Sequence, residues 1–223
     1  MSKDELVLLD FGLSPFCMRV KIALAEKGLQ YEGQEEDLFG GKSELLQKSN
    51  PIYEKVPVLL HNGKPILEST NIVYYIDETF ASPPLLPACS YGRSRARFWA
   101  DFIDKKFLQV FDAGAAIWRS KGDELELAKK EFIDILKKLE GAMGDKDYLG
   151  GDTFGFVDIV LIGLSSWFPA YEKFGGFKIE DECPKIGAWI KRCKGRESVA
   201  KTLPDPQQVC ELVGMLRKMH GIE

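Results

Sequence analysis

The chain has 223 residues, of which 45% are hydrophobic and 29% are charged. These values are ordinary for a globular protein that buries a sizeable core. Its formal net charge of −4, from 30 basic and 34 acidic residues, gives no electrostatic footprint for a polyanion. The most apolar run, residues 154–168, contains Asp158 and is too short to cross a bilayer. Neither nucleic acid nor a membrane is therefore expected as a partner.

The cysteines and histidines point away from metal and disulfide chemistry. Five scattered cysteines and two histidines show neither a zinc-binding spacing nor a disulfide framework. The first residues are polar and include acidic side chains, which argues against a targeting peptide. We expect no metal site and a reduced protein of the cytosol.

The first elements in chain order alternate between strand and helix patterns. Residues 6–9 form an apolar run typical of a buried strand, and residues 16–27 read as a helix. Gly28 stands where a left-handed residue would end that helix. Residues 30–36 favour a weak second strand, and residues 43–46 a short helical turn.

A hairpin comes next. Asn62-Gly63 joins the strand patterns of residues 58–61 and 64–67, and this dipeptide is the strongest short-range hairpin signal. Pro65 lacks a ladder donor, so its strand should lie at a sheet edge. A helix over residues 69–80 follows, with apolar residues on one stripe. The order is βαβ, then ββα.

The character of the sequence changes after a proline-rich stretch at residues 82–87. The remainder reads as helical, with a core-facing stripe at Phe132, Ile135, Leu136, Leu139 and Met143. Residues 159–171 are apolar on nearly all sides and predict one central buried helix. The predicted organisation is an α/β domain over residues 1–82, a linker over 83–90 and an all-α domain over 91–223.

Ser14-Pro15 stands at the first strand-to-helix junction. Proline suits the first helical position, which places Ser14 at the helix cap beside unpaired backbone N–H groups. Such a helix start attracts anions, including a thiolate. The plainer alternative is that Ser14 only caps its helix.

Two further segments have both a plain and a functional interpretation. Val56-Pro57 precedes a hairpin strand, where a cis bond would turn the Val56 backbone toward an extended peptide. The alternative is an ordinary trans proline. Ser69 would cap the helix after Glu68 and leave amides for a carboxylate, or simply cap it.

Together these segments resemble the cytosolic glutathione transferases, specifically the plant tau class, over essentially the whole chain. The motifs that carry the resemblance include Ser14-Pro15-Phe16, Lys55-Val56-Pro57-Val58-Leu59, Glu68-Ser69, Arg97-Phe98-Trp99-Ala100-Asp101 and Gly155-Phe156-Val157-Asp158-Ile159. The resemblance implies an α/β plus all-α fold: a thioredoxin-like N-terminal domain followed by an all-helical domain.

The resemblance also implies a glutathione site made of Ser14, Lys42, Lys55, Val56, Glu68 and Ser69. Ser14 would be the catalytic residue that donates a hydrogen bond to the glutathione sulfur. The two lysines would reach the glycyl carboxylate, and Val56, before a cis Pro57, would pair with the cysteinyl backbone. Glu68 would hold the γ-glutamyl amino group and Ser69 its carboxylate.

By the same resemblance, a hydrophobic electrophile would bind between the domains. The residues expected to line that site are Phe16, Phe111, Ala115, Trp118, Trp167, Leu212 and Leu216. For each of them, plain core packing is the alternative. Asp158 is interpreted as a structural helix-start residue, after a Gly155 that stands where the family usually has Ser or Thr.

Two residues near the site need separate interpretation. Cys17 lies three residues after Ser14, where redox relatives carry a second cysteine, and we favour a buried, chemically silent role. Gly40-Gly41 makes the loop before Lys42 one residue longer than the family pattern.

The implied activity is conjugation of glutathione, as a co-substrate, to small hydrophobic electrophiles, by a homodimer with no permanently bound cofactor. Glutathione-dependent peroxidase activity would use the same thiolate. A non-catalytic carrier of hydrophobic ligands is the main alternative. Thiol transfer is disfavoured by serine at position 14.

Overall fold

The computed structural model describes residues 4–222, with the backbone alone for residues 107–114. The chain divides into two compact units, Met1–Leu85 and Leu86–Glu223. The elements of the first unit are β1 (Leu6–Asp10), α1 (Pro15–Glu26), β2 (Glu32–Glu35), α2 (Glu44–Ser49), β3 (Val58–His61), β4 (Lys64–Leu67) and α3 (Ser69–Thr79). This order confirms the predicted βαβ–ββα arrangement.

The four strands form one mixed sheet in the order β2-β1-β3-β4. Asp10 at the end of β1 lies opposite Glu35 at the end of the parallel β2. In the antiparallel pairs, Leu9 lies opposite Val58, and Val58 lies opposite Leu67. The carboxyl ends of β1, β2 and β4 and the amino end of β3 therefore meet at one end of the sheet.

The hairpin has the predicted turn. Asn62 and Gly63 both have positive φ, at 50° and 74°, as a two-residue type I′ turn requires. Pro65 lies in β4, the edge strand, where its missing N–H removes no ladder bond on the open side.

The first unit is packed around β1, β3 and the inner faces of α1 and α3. All five residues of β1 are buried, and Ile72, Val73 and Ile76 of α3 are fully buried. At the carboxyl end of α1, Lys27 Nζ lies 2.6 Å from both Asp77 Oδ1 and the Phe80 carbonyl oxygen. This buried pair ties the end of α1 to α3.

The second unit is helical throughout its regular elements. They are α4 (Ser90–Arg119), α5 (Gly122–Met143), α6 (Phe156–Leu164), a 3₁₀ turn (Ser165–Trp167), α7 (Phe168–Gly175), α8 (Ile179–Glu182), α9 (Pro184–Lys194), α10 (Glu197–Ala200) and α11 (Pro206–Met219). The predicted stripe of α5 is buried from Phe132 to Met143. No helix among the described residues is long and apolar enough to span a bilayer.

The prediction of one continuous helix over residues 159–171 is wrong, although the predicted burial is right. The hydroxyls of Ser165 and Ser166 donate to the carbonyl oxygens of Ile162 and Gly163, at 2.8 and 2.9 Å. Pro169 then stands in the first turn of α7, where its missing N–H costs nothing. Side-chain bonds to the backbone and a proline thus divide the segment into two helices.

Candidate functional site

Four segments with polar residues lie at the same end of the sheet in the first unit. They are the β1–α1 loop with Ser14, the β2–α2 loop with Lys42, the stretch before β3 with Lys55 and Val56, and the β4–α3 junction with Glu68 and Ser69. The strand register alone brings them to one end.

Ser14 is the N-cap of α1, followed by Pro15 at the first helical position. Its Oγ accepts the Cys17 N–H at 3.3 Å, and its own N–H donates to the Phe11 carbonyl at 2.8 Å. Ser14 is buried, with 8% of its surface exposed. Its oxygen already accepts the Cys17 N–H, so the hydroxyl hydrogen can be donated to a nearby anion.

The loop before Ser14 is fixed from the neighbouring strand. Gly12 N–H donates to Glu35 Oε1 at 2.7 Å, so a carboxylate at the end of β2 anchors the β1–α1 loop. This contact could not be predicted from the sequence, because it depends on the parallel register of β1 and β2.

Cys17 is fully buried in α1. Burial raises the pKa of its thiol far above the ordinary range; the Asp10 carboxylate raises it further, while the Ser14 hydroxyl opposes both. Since the thiolate is the reactive form of cysteine, Cys17 is a poor nucleophile near neutral pH. The chemically silent interpretation fits this environment.

Lys42 lies on an exposed loop between β2 and α2. Its Nζ lies 3.3 Å from Glu54 Oε2. The next residue, Ser43, caps α2 by accepting the Leu46 N–H at 3.0 Å, and its N–H and hydroxyl donate to the buried Glu36 carboxylate. The end of the loop is therefore anchored, while the Lys42 side chain points to a partner on another loop.

The segment before β3 is shaped by a buried asparagine. Asn50 Nδ2 donates to the Lys55 carbonyl at 3.0 Å, and Asn50 Oδ1 accepts the Tyr53 N–H at 3.3 Å. The Val56–Pro57 peptide bond is cis. Val56 is buried, and Lys55 beside it is exposed.

The junction between β4 and α3 differs from its prediction. Ser69 does not cap α3: it is the first residue of the helix, and the cap position belongs to Glu68, whose side chain makes no capping bond. Glu68 has a φ of +67°, an uncommon conformation for a residue other than glycine. The Ser69 hydroxyl instead accepts from Arg19 Nη1 at 3.0 Å.

Arg19 is a residue of this site that sequence reasoning missed. Its guanidinium is buried in α1, donates to Ser69 Oγ and to Thr70 Oγ1 at 3.2 Å, and lies 5.3 Å from the centre of the Phe16 ring. The available signal was a lone arginine among the apolar residues of α1. Its positive charge now stands at the start of α3.

The residues predicted for the electrophile site divide between the two units. Within the second unit, Ala115, Trp118 and Trp167 are buried, whereas Leu212 and Leu216 of α11 are half-buried. Arg217 of α11 donates to the Trp118 carbonyl at 2.8 Å, which joins the ends of these two helices. In the first unit Phe16 is half-buried, and the side chain of Phe111 lies outside the described residues.

Asp158 belongs to a separate structural cluster in the second unit. Its Oδ1 accepts from Leu149 N and Trp189 Nε1, both at 2.8 Å, and its Oδ2 accepts from Gly155 N at 3.1 Å. Burial raises the pKa of Asp158 to about 6, against the effect of these hydrogen bonds. The carboxyl joins the start of α6 to α9, as a helix-start residue would.

Among the described residues, no three His, Cys, Asp or Glu side chains are grouped so that they could hold a metal ion. The described polar groups at the sheet end instead include hydroxyls, ammonium groups, the Arg19 guanidinium, carboxylates and backbone amides. These groups suit an organic ligand that has both positively and negatively charged groups.

Two family models match the chain. Residues 8–84 match the glutathione S-transferase N-terminal domain, and residues 104–197 match the glutathione S-transferase C-terminal domain. Together they cover well over half of the chain.

Plant relatives match along nearly the full length. A probable glutathione S-transferase, parC, of Nicotiana tabacum is 56% identical over 225 residues, covering 100% of both chains. Glutathione S-transferase U19 of Arabidopsis thaliana is 57% identical over 216 residues, covering 96% of this chain and 97% of the relative.

Solved structures agree with the sequence relatives. Rice GST1, solved in complex with glutathione, has a TM-score of 0.92 and 45% identity, and the match covers 98% of this chain and 99% of that one. The tau-class glutathione S-transferase of mango, Mangifera indica, has a TM-score of 0.88 and 35% identity, with 95% and 98% coverage. This chain, with its thioredoxin-like first unit and helical second unit, therefore belongs to the glutathione S-transferase family and, within it, to the plant tau class.

Proposed function

We propose that this transferase binds glutathione at the described end of the sheet, and that Ser14 donates a hydrogen bond to the glutathione sulfur. The observation that carries the proposal is the buried Ser14 hydroxyl at the start of α1, with its oxygen engaged by the Cys17 N–H. A hydroxyl held in this way is oriented by the helix itself. The sulfur would bind as a thiolate.

The expected effect on the thiol is large enough to matter for catalysis. A free cysteine thiol has a pKa of about 8.5, so only a few per cent is ionised at neutral pH. A hydrogen bond to a charged group contributes about 1.5–3 kcal/mol, and each pKa unit corresponds to about 1.36 kcal/mol. Ser14 should therefore lower the pKa of the bound thiol by about one to two units, and the helix terminus adds to this.

The charges around the site complement those of glutathione, which has two carboxylates and one ammonium group. Lys42 and Lys55 would bind the glycyl carboxylate, and Glu68 the γ-glutamyl ammonium group. Ser69 would bind the γ-glutamyl carboxylate, with Arg19 as the positioning residue that orients the Ser69 hydroxyl. Val56 would pair with the cysteinyl backbone of the peptide.

Once the thiolate has formed, the protein has to hold the sulfur beside the reacting carbon of the electrophile. The thiol proton is released to solvent when glutathione binds, and the thiolate forms a carbon–sulfur bond with the electrophile. The leaving group departs with the electron pair of the broken bond. Residues proposed to contact the electrophile are Phe16, Phe111, Ala115, Trp118, Trp167, Leu212 and Leu216.

We also propose that the protein is a cytosolic homodimer. Support comes from large hydrophobic side chains that are strongly exposed in the chain alone: Ile52 at 76%, Tyr53 at 58%, Tyr91 at 76% and Phe98 at 54%. Tyr91 and Phe98 are seven residues apart on α4 and so share one face. Exposed apolar groups of this size are typical of protein interfaces. Sedimentation that found only monomer at micromolar concentration would contradict the dimer.

Conjugation of a halogenated aromatic electrophile tests the transferase, beside a hydroperoxide assay for peroxidase activity. Replacement of Ser14 by Ala should reduce kcat/KM for conjugation by about 10- to 100-fold, the loss of one charged hydrogen bond. Ser14→Thr retains the hydroxyl and should restore part of the activity. Cys89→Ala is the control, since it removes another side-chain helix cap, at the start of α4, and Cys89 is not among the residues proposed to contact either substrate.

Each alternative has its own result in this experiment. If the protein binds glutathione and the electrophile but shows no Ser14-dependent turnover, the transferase mechanism is contradicted. That result would support the alternative that the protein is a carrier of hydrophobic ligands. Full activity in Ser14→Ala would contradict the catalytic role proposed for Ser14.

A further inference from the structure

The lysine proposed for the glycyl carboxylate is carried by a loop whose backbone is fixed without it. Asp37 Oδ1 accepts from the N–H groups of Phe39 and Gly40, at 3.0 and 2.7 Å. Gly41 follows with a φ of +145°, and Gln47 Nε2 donates to the Lys42 carbonyl at 3.2 Å. These bonds hold the main chain on both sides of Lys42. The position of its ammonium group depends on what the side chain binds.

That binding partner is Glu54. The Lys42 Nζ and Glu54 Oε2 atoms are 3.3 Å apart, and the two side chains are 37% and 42% exposed. Both groups are therefore partly in solvent and accessible to a ligand.

Glu54 is built into its turn. It has a φ of +48°, and its N–H donates to the Asn50 carbonyl oxygen at 2.8 Å. A residue other than glycine rarely adopts this conformation, so the turn defines where the Glu54 carboxylate begins. Glu54 directly precedes Lys55, the second proposed cation of the site.

We propose that Glu54 is a specificity-determining residue, which competes with the C-terminal carboxylate of the thiol peptide for Lys42. The inference rests on the proposed function, because it assumes that Lys42 binds that carboxylate. A ligand carboxylate on the same ammonium group must displace Glu54 or lie beside it, and two carboxylates so close repel each other. A thiol peptide whose C-terminus is uncharged meets no such competition.

Glu54 thus reduces the advantage that a free C-terminal carboxylate has over an uncharged end. The effect is modest because both side chains are partly hydrated and salt screens them. It follows that the site favours glutathione over its C-terminal amide by a smaller factor than it would without Glu54.

The test compares two probes in equilibrium binding to the whole protein: glutathione, and glutathione with a C-terminal amide. Glu54→Gln should lower the Kd of glutathione about two- to fivefold, the range of one exposed charge pair, and leave the Kd of the amide unchanged. Higher salt should shrink the difference. Glu180→Gln is the matched control, since it removes one carboxylate from the exposed Lys191–Glu180 pair in the second unit. It should change neither Kd.

A double variant isolates the interaction. In a Lys42→Met background, Glu54→Gln should no longer change the Kd of glutathione, because the shared ammonium group is gone. An effect that persists there would overturn the proposal.

Other outcomes also contradict it. An unchanged or higher Kd for glutathione in Glu54→Gln would overturn the competition, as would equal tightening of both probes. If glutathione does not bind the wild type at all, the proposed function falls too. If glutathione binds with a Ser14-dependent activity and Glu54→Gln has no effect, only the inference about Glu54 falls.

Discussion

Replacing Asp158 distinguishes a structural carboxyl from a catalytic one. Its Oδ1 accepts from Leu149 N and Trp189 Nε1, and its Oδ2 accepts from Gly155 N. Asparagine can keep the two bonds to Oδ1 and loses the bond from Gly155 N to Oδ2. Alanine loses all of these bonds. Each buried donor left without a partner costs about 1–3 kcal/mol.

We therefore expect Asp158→Asn to reduce the free energy of unfolding by about 1–3 kcal/mol, and Asp158→Ala by about three times as much. Chemical denaturation followed by tryptophan fluorescence measures both. The kcat of folded Asp158→Asn should equal that of the wild type, because the carboxyl takes no part in the reaction. Equal destabilisation by Asn and Ala, or a large loss of kcat in stable Asp158→Asn, would refute the reasoning.

The pH dependence gives a second signature of the same group. Burial raises the pKa of Asp158 from 3.8 to about 6, so between these values the folded state holds the proton more tightly than the unfolded state. This contribution to stability is complete below about pH 4 and is lost as the pH rises through 6. About two pKa units correspond to about 3 kcal/mol. The stability advantage of the wild type over Asp158→Asn should therefore shrink between pH 4 and pH 6; a constant advantage would contradict the raised pKa.

Two other substitutions separate positioning from chemistry in the first unit. Arg19→Met removes the donor to Ser69 Oγ. It should raise the KM for glutathione about 10-fold or more, because a charged hydrogen bond is lost, and it should change kcat less. A fall in kcat of about 10-fold at unchanged KM would contradict a positioning role. Cys17→Ala should lower stability by about 1–2 kcal/mol, as small core truncations do, and leave the pH–activity profile unchanged. A shifted profile would show that the Cys17 thiol titrates during turnover.

Local patterns predicted most of the first unit because its elements are specified by short-range signals. Asn62-Gly63 determines a turn through two positive φ angles, and Ser14-Pro15 determines a helix start through cap chemistry. The break inside residues 159–171 was not predicted, because hydrophobicity alone does not distinguish one buried helix from two. The hydroxyls of Ser165 and Ser166 make that difference by binding the backbone.

The site was less predictable where contacts join distant parts of the chain. Ser69 looks like a cap in sequence, yet its hydroxyl accepts from Arg19, fifty residues earlier in the chain. Similarly, the Lys42–Glu54 pair joins the loop before α2 to the turn that follows α2. Charge and residue type identified which side chains could bind a ligand. The partners that orient those side chains became visible only in the fold.

Ionisation of bound glutathione is the most direct test of the central proposal. The ultraviolet absorbance of the thiolate, titrated against pH in the wild type and in Ser14→Ala, gives the pKa of the sulfur in each complex. In the wild type we expect a value about one to two units below the pKa of about 8.5 of a free thiol, and in Ser14→Ala a return toward that value. The same pKa in both proteins would contradict the role of the Ser14 hydroxyl.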